Sequence, residues 1–273
     1  MGTRIHPTAV VDRRAELGDG VEIGAYCVIH AGAVLGEGCT LHNHVTVYTG
    51  VRMGRENVVY PHAVLGGDPQ DRKYLGGETT LHIGDRNKFR EQVTVHRGTE
   101  VGGGVTRVGS DGLFMVGSHI AHDCIIEDRV VIANGTMLGG HCLVEEGVGI
   151  GGAVGVHHFT TIGTLAFVGG MSRVVKDVPP YVVVEGAPAE PRKVNTTGLA
   201  RADWTQPQVD EIRDAYRRLF EESRTASEVI AELRAAPHAS PHIRKLCDAL
   251  EHAHQGVYGR WREHAARAAE PRP

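Results

Sequence analysis

From Val108 to Val174 an aliphatic or Phe residue returns at every sixth position, through Phe114, Ile120, Ile126, Ile132, Leu138, Val144, Ile150, Val156, Ile162 and Val168. A period of six belongs neither to an α-helix nor to an ordinary alternating strand. It is the hexapeptide period of a parallel β-helix, in which each unit makes one flat side and a corner. Three sides close a triangular coil, so positions separated by three units stack above one another. The same period runs from Ile5 to Leu65 and resumes through Ile83, Phe89 and Val95. Its two interruptions, about residues 66–82 and 98–107, are expected to be loops ejected from the coil. The coils make roughly nine turns, a prism on the order of 40 Å tall at the usual strand spacing.

The abundance of glycine, 36 residues, suits a chain that repeats tight corners. Two proline-bearing stops, Val178-Pro179-Pro180-Tyr181 and Glu185-Gly186-Ala187-Pro188, are expected to end the coil. From Thr205-Gln206-Pro207, a cap with an early proline, the pattern becomes helical, with Val209, Ile212, Ala215, Tyr216, Leu219 and Phe220 spaced by three and four. The expected architecture is mainly β: a parallel β-helix over residues 1–190 and a C-terminal α-helical domain over 191–273 that covers its last coil. A net charge of −4 gives no basic excess to argue for nucleic acid. No apolar run approaches the roughly 18 residues that span a bilayer. Repeat sequence follows the first residues directly, with no signal core, so the expected location is the cytosol. The five cysteines include no C-x-x-C pair and read as small buried apolar residues.

Seventeen histidines are many for this length. In a β-helix most would fill solvent-facing positions, and His6, His30, His42, His44, His62 and His82 are read that way. His96, His119, His122, His141, His157 and His158 differ, because the coil period brings several of them to neighbouring levels. Imidazoles gathered together serve either proton transfer near neutral pH or metal binding. For proton transfer the best member is His122, with Gly140 one full coil beyond it offering an unobstructed amide to a developing oxyanion. Asp123 could fix the imidazole tautomer, but neighbours on a strand point to opposite faces, so the pair meets only if a corner turns the backbone. The zinc reading needs three imidazoles converging on one point. Spacing alone leaves both readings open.

Four segments carry a more specific likeness: GGDPQDRKY at 66–74, IGDRNKFREQVTVHRGT at 83–99, GSHIAHDC at 117–124 and DVPPY at 177–181. Together they resemble the UDP-N-acetylglucosamine acyltransferase family, and the likeness extends over almost the whole chain. The resemblance implies a left-handed β-helix and a homotrimer with active sites between subunits. It also implies transfer of a (3R)-hydroxyacyl group from acyl carrier protein to the sugar 3-hydroxyl, the first step of lipid A biosynthesis, with no cofactor and no metal. By motif, His122 matches the general base, Asp123 its orienting carboxylate and Gly140 the oxyanion amide. Asp71, Lys73 and His96 match contacts to the sugar nucleotide or the base. His119, His141 and His157 match histidines lining the substrate site. Asn195 and Arg201 resemble nucleotide and phosphate contacts, for which an arginine fork is suited.

The chain departs from the family pattern in Thr197, Ala202 and His158, where Glu, Arg and Gln are usual. The missing arginine weakens the expected grip on a diphosphate and leaves open a 3-amino acceptor, or kinship with a hexapeptide N-acyltransferase. Gly170 matches a position whose bulk limits acyl length in the family, so a longer hydroxyacyl chain is expected. A carbonic anhydrase-like zinc enzyme is the reading from another class. Arg213, Arg217 and Arg218 on one helix form either a docking face for the acidic carrier or a solvated charged surface.

Overall fold

The computed structural model describes residues 2–236 and 239–269. Every residue of the six-residue ladder from Ile5 to Val174 lies in a strand of two to four residues. These strands form three sheets of eleven, nine and eight members, the faces of a triangular prism. The first face carries Phe114 and Ile132, the second Ile120 and Leu138, the third Ile126 and Val144. Register follows the expected period: Ile120 pairs with Leu138, and Leu138 with Val156. Ladder side chains such as Leu41, Phe114, Ile120 and Ile132 point inward and are almost wholly buried. Each buries enough apolar surface to contribute about 1.5–3 kcal/mol.

Corners put residues into the left-handed region, for example His44 (φ 59°), Gln92 (φ 62°) and Ala153 (φ 55°) at the edge between first and second faces. Gly117 and Gly135 occupy the same place at other levels, where a side chain would be strained. Along this edge His44 stacks between Tyr26 and His62, and His30 stacks on Tyr48 elsewhere. The surface histidines thus serve as fillers between coils. All five cysteines are free and buried.

Both interruptions leave from the edge between the second and third faces. Val59 pairs with Phe89, where the unbroken period would have paired it with Gly77, so the first excursion lengthens its coil by twelve. Val95 pairs with Ile120 in place of Leu113, so the second lengthens its coil by seven. The excursions are shorter than the expected spans because their flanks join the sheets. Strands Val64–Gly67 and Thr80–Ile83 confine the first to residues 68–79, and strand Val105–Val108 ends the second at residue 104. At the same levels, on the edge between the third and first faces, Asn57 and Asn87 are fully buried. Asn57 Nδ2 donates to the Gly54 and Gly84 carbonyls, while Asn87 Nδ2 donates to Asn57 Oδ1 (3.0 Å) and the Gly109 carbonyl (2.9 Å). Asn87 Oδ1 in turn accepts the Gly112 N–H at 2.8 Å.

Beyond Val174 the sheet does not stop at the prolines. Val182–Gly186 adds a parallel strand beside Phe167–Val168, and Ala189–Val194 returns antiparallel to it. This last strand crosses residue 190, so the helical part begins at Thr196. Pro191 is tolerated there because an outermost strand has no ladder partner for the missing N–H. Among the described residues five helices follow: α1 (Thr196–Arg201), α2 (Gln206–Phe220), α3 (Ala226–Ala235), α4 (Pro241–Gln255) and α5 (Trp261–Ala269). Thr205 and Gln208 cap α2 reciprocally, and its inner side buries Val209, Ile212, Tyr216 and Leu219. Lys245 of α4 pairs with Glu145 on the coil at 2.9 Å. The chain entering α5 is tied to the coil by the buried Arg260, which donates to the Val175 carbonyl at 2.7 Å. The Trp261 N–H reaches Asp177 Oδ2 at 2.9 Å, and Arg262 Nε reaches the His141 carbonyl at 2.9 Å. Among the described residues no helix is long and apolar enough to cross a membrane.

Candidate active site

The edge between the second and third faces gathers the expected residues. After Ile120 turns inward, the chain passes Ala121 and His122 and bends at Asp123, whose φ is 59°. That left-handed residue lets adjacent side chains meet: His122 Nδ1 lies 2.7 Å from Asp123 Oδ2. The corner that the pairing requires is present.

Asp123 is buried, and the second excursion folds over it. The Thr99 N–H donates to Asp123 Oδ1 at 2.8 Å and the Thr99 hydroxyl to Oδ2 at 2.7 Å. Gly102 packs so closely on the carboxylate that any side chain there would occupy its place. Burial works against the charged carboxylate, but hydrogen bonds from His122 and Thr99 outweigh it and hold its pKa below the usual value. An ionised carboxylate can only accept. His122 Nδ1 therefore carries the hydrogen, and Nε2 presents a free lone pair.

Gly140 lies on the next coil, against the His122 ring. A Cβ at Gly140 would come within 2.5 Å of His122 Cε1 and 2.7 Å of Nε2, so only glycine admits the imidazole there. The Gly140 N–H makes no hydrogen bond among the described residues. His141 donates its N–H to the His122 carbonyl at 3.0 Å, presents its ring edge-on to His122 and lies flat on Phe159. Burial lowers the His141 pKa. His119 Nδ1 meets the Thr94 hydroxyl at 2.7 Å, and burial lowers its pKa too. His96 meets His119 edge-on, and burial, followed by His119 and His122, brings its pKa to about 4. His157 and His158 lie with ring centroids 3.9 Å apart, and burial, then His157, lowers the His158 pKa. A cavity of about 530 Å³ opens along the second face and this edge, lined by His119, His122, Gly140, Gly155, His157 and His158 among others.

Other expected residues lie apart. Asp71 and Lys73 stand in the first excursion, where Asp71 Oδ1 accepts the Lys73 N–H at 2.9 Å; their neighbour Gln70 is the excursion residue that reaches the cavity wall. Arg97 braces this loop through the Gly66 carbonyl and the Tyr74 hydroxyl. Asn195 caps α1 and donates Nδ2 to the Leu165 carbonyl at 2.8 Å, which puts it at the edge between the third and first faces. Arg201 is exposed at the end of the same helix, which also carries Thr197 and leads into Ala202. Gly170 sits at the edge between the first and second faces, and a Cβ there would lie 3.3 Å from the Gly152 carbonyl oxygen. Arg213, Arg217 and Arg218 are each already paired, with Asp210, Asp214 and Glu232.

Thr99 was not singled out from the sequence. It lies outside the six-residue ladder, and no spacing rule connects it to Asp123. His122, Asp123 and His141 offer ligand atoms within 4.8 Å of one another, a set that could hold a cation. Asp123 Oδ2 already accepts from His122 Nδ1–H and the Thr99 hydroxyl, so a cation bound through that oxygen would have to displace one of them.

Comparison with known proteins places these features in context. A family profile described as "Udp N-acetylglucosamine O-acyltransferase; Domain 2" matches residues 177–258, and one described as "Bacterial transferase hexapeptide (six repeats)" matches residues 2–36. The acyl-[acyl-carrier-protein]–UDP-N-acetylglucosamine O-acyltransferase of Anaeromyxobacter dehalogenans is 46% identical over 253 residues, covering 93% of this chain and 98% of that protein. The structure of UDP-N-acetylglucosamine O-acyltransferase from Moraxella catarrhalis matches with a TM-score of 0.86 and 39% identity, covering 89% of this chain and 95% of the other. That of the UDP-N-acetylglucosamine acyltransferase from Bacteroides fragilis matches with a TM-score of 0.88 and 32% identity, covering 90% and 96%. The coil is a left-handed β-helix, against the usual preference for right-handed crossovers.

Proposed function

This chain belongs to the UDP-N-acetylglucosamine O-acyltransferase family, and on that premise we propose that His122 is the general base in its acyl transfer. The reaction moves an acyl chain, which we take to be (3R)-hydroxyacyl, from acyl carrier protein to the 3-hydroxyl of UDP-N-acetylglucosamine, the entry to lipid A biosynthesis. The observation that carries the assignment is the 2.7 Å bond between His122 Nδ1 and Asp123, which leaves Nε2 free beside the Gly140 amide.

The steps follow from these groups. His122 Nε2 takes the proton of the acceptor hydroxyl as its oxygen attacks the thioester carbon. Negative charge passes to the former carbonyl oxygen, where the Gly140 N–H receives it; a donor so placed is worth about 2.7–4 kcal/mol of barrier. Asp123 stabilises the imidazolium without taking its proton. The tetrahedral species then collapses, the carbon–sulfur bond breaks, and the imidazolium returns the proton to the departing thiolate. His119, His141, His157 and His158 line the space for sugar and thioester. His96, with its pKa near 4, stays neutral, and its buried Nδ1 has no protein partner among the described residues. Asp71 and Lys73 are assigned to the sugar nucleotide by their place in the first excursion, whose Gln70 lines the cavity.

Asn195 lies at a different edge of the prism from His122, and Arg201 ends the helix that Asn195 caps. They serve the same substrate only if an adjacent copy turns that edge toward the cavity, which supports the reading of a homotrimer with sites between subunits. The decisive experiment is His122→Ala assayed with hydroxyacyl carrier protein and UDP-N-acetylglucosamine. Turnover should fall by about 10²–10⁴ while the oligomer and its melting temperature persist. Near-normal turnover would remove His122 from the mechanism. Mass spectrometry of the wild-type product separates the O-acyl ester from the amide that a 3-amino acceptor would give.

A further inference from the structure

We propose that Gly155 is a specificity-determining residue, whose missing side chain opens the groove that takes the acyl chain. The inference rests on the acyltransferase reading above. Gly155 occupies the outward position of strand Gly155–Val156 on the second face, in register with Met137 on one side and Arg173 on the other. Glycine in a strand weakens it, so its presence calls for a reason.

Two structural reasons are usual, and neither applies. Gly155 is absent from the residues of positive φ, so its backbone suits any residue. A Cβ built on it would meet nothing within 4 Å. Most other coil glycines answer to one cause or the other. Gly117 and Gly135 also face open space, but their φ values are 67° and 64°. Gly139 lies 2.8 Å from the His158 backbone, and Gly149 2.9 Å from the Phe167 ring, measured from the same virtual atom. Among the described glycines that lie in strands, Gly155 alone combines ordinary backbone with empty space.

That space belongs to the cavity that holds His122 and Gly140. Gly155 is one coil beyond the Leu138–Gly140 level, about 4.8 Å along the prism. An acyl chain whose thioester carbon sits at the Gly140 amide therefore has Gly155 in its path, between the outward side chains of Met137 and Arg173. Bare backbone in a strand is the usual mark of a ligand's close approach. At Gly170, by contrast, a side chain would first press on the Gly152 backbone and does not line the cavity.

The test assays wild type, G155A and G155L with UDP-N-acetylglucosamine and a mixed series of hydroxyacyl carrier proteins of graded length, with products read by mass spectrometry. G155L should shift the product spectrum to shorter chains, with about tenfold or more discrimination against the longest chain that wild type accepts. G155A should shift it in the same direction by less, and it carries the test if G155L does not fold. An unchanged length profile in either folded variant, or an equal loss at every length, overturns the proposal. So does a change of oligomeric state in size-exclusion chromatography, which would assign the space to a neighbouring subunit. If wild type yields no acylated sugar nucleotide at any length, the functional reading itself fails, an outcome separate from an unshifted profile.

Discussion

Replacing Asp123 by Asn changes one atom of the site and tests the tautomer argument directly. The Thr99 N–H points at one carboxylate oxygen from 2.8 Å and cannot reverse its polarity. The Asn side chain must therefore keep its carbonyl oxygen toward that N–H, which turns its NH₂ group toward His122 Nδ1 and the Thr99 hydroxyl. The hydroxyl can accept, so the amide settles in this orientation. His122 Nδ1 then becomes an acceptor, the hydrogen moves to Nε2, and the base loses the lone pair that faces the substrate. The second loss is the carboxylate's attraction for the imidazolium. At about 4 Å and an effective dielectric of about 20, that is worth about 4 kcal/mol. At about 1.36 kcal/mol per decade this alone costs about 10³ in rate. Restoring the active tautomer breaks a hydrogen bond of about 1 kcal/mol, bringing the expected loss to about 10⁴. Single-turnover rates of purified Asp123→Asn, beside a melting curve like that of wild type, provide the measurement. A rate within tenfold of wild type would refute both the tautomer assignment and the electrostatic role.

Two further outcomes concern stability. Burial raises the Asp177 pKa from 3.8 to about 6, against the bonds it accepts from Thr161 and Trp261. A carboxyl whose folded pKa is raised loses stability as pH climbs from its unfolded to its folded value, so this group costs about 3 kcal/mol on going from pH 4 to above 6. Denaturation of wild type and Asp177→Ala across that range should show the mutant gaining relative stability as pH rises; a constant difference contradicts the burial argument. Asn87→Ala strips partners from the Gly109 carbonyl and the Gly112 N–H, while the buried Asn57 Oδ1 keeps the Asn87 backbone N–H at 2.9 Å. At about 1–3 kcal/mol for each of these two groups left unpaired, a loss of about 2 kcal/mol or more is expected in urea denaturation, and a loss under about 1 kcal/mol would show that water replaces the ladder.

The six-residue period made the core legible because one rule governs both inward pointing and stacking. It marked every strand from Ile5 to Val174 and brought His122 to Gly140 across a single coil. Thr99 escaped, since the second excursion obeys no period and only its folded path carries it to Asp123. The contact of Arg262 with the His141 carbonyl was equally unreadable, because it joins distant parts of the chain through a helix packed on the coil. The strands Val182–Gly186 and Ala189–Val194 were hidden by prolines that signal a break in local structure but are harmless at a sheet margin. Asn195 shows the reverse case. Its motif was plain, while its position on another edge emerged only from the winding.

The buried pair Asn57 and Asn87 has a bearing on how such a scaffold changes. The winding is riveted at one corner by these amides at the levels where the opposite corner releases its two detours. Strands above and below keep their alignment although a long detour leaves at one point and a shorter one at the next. Length and composition can therefore be spliced in beside His122 without retuning the neighbouring turns. The chemistry of the molecule is free to vary at a seam, while the spool that carries it stays wound.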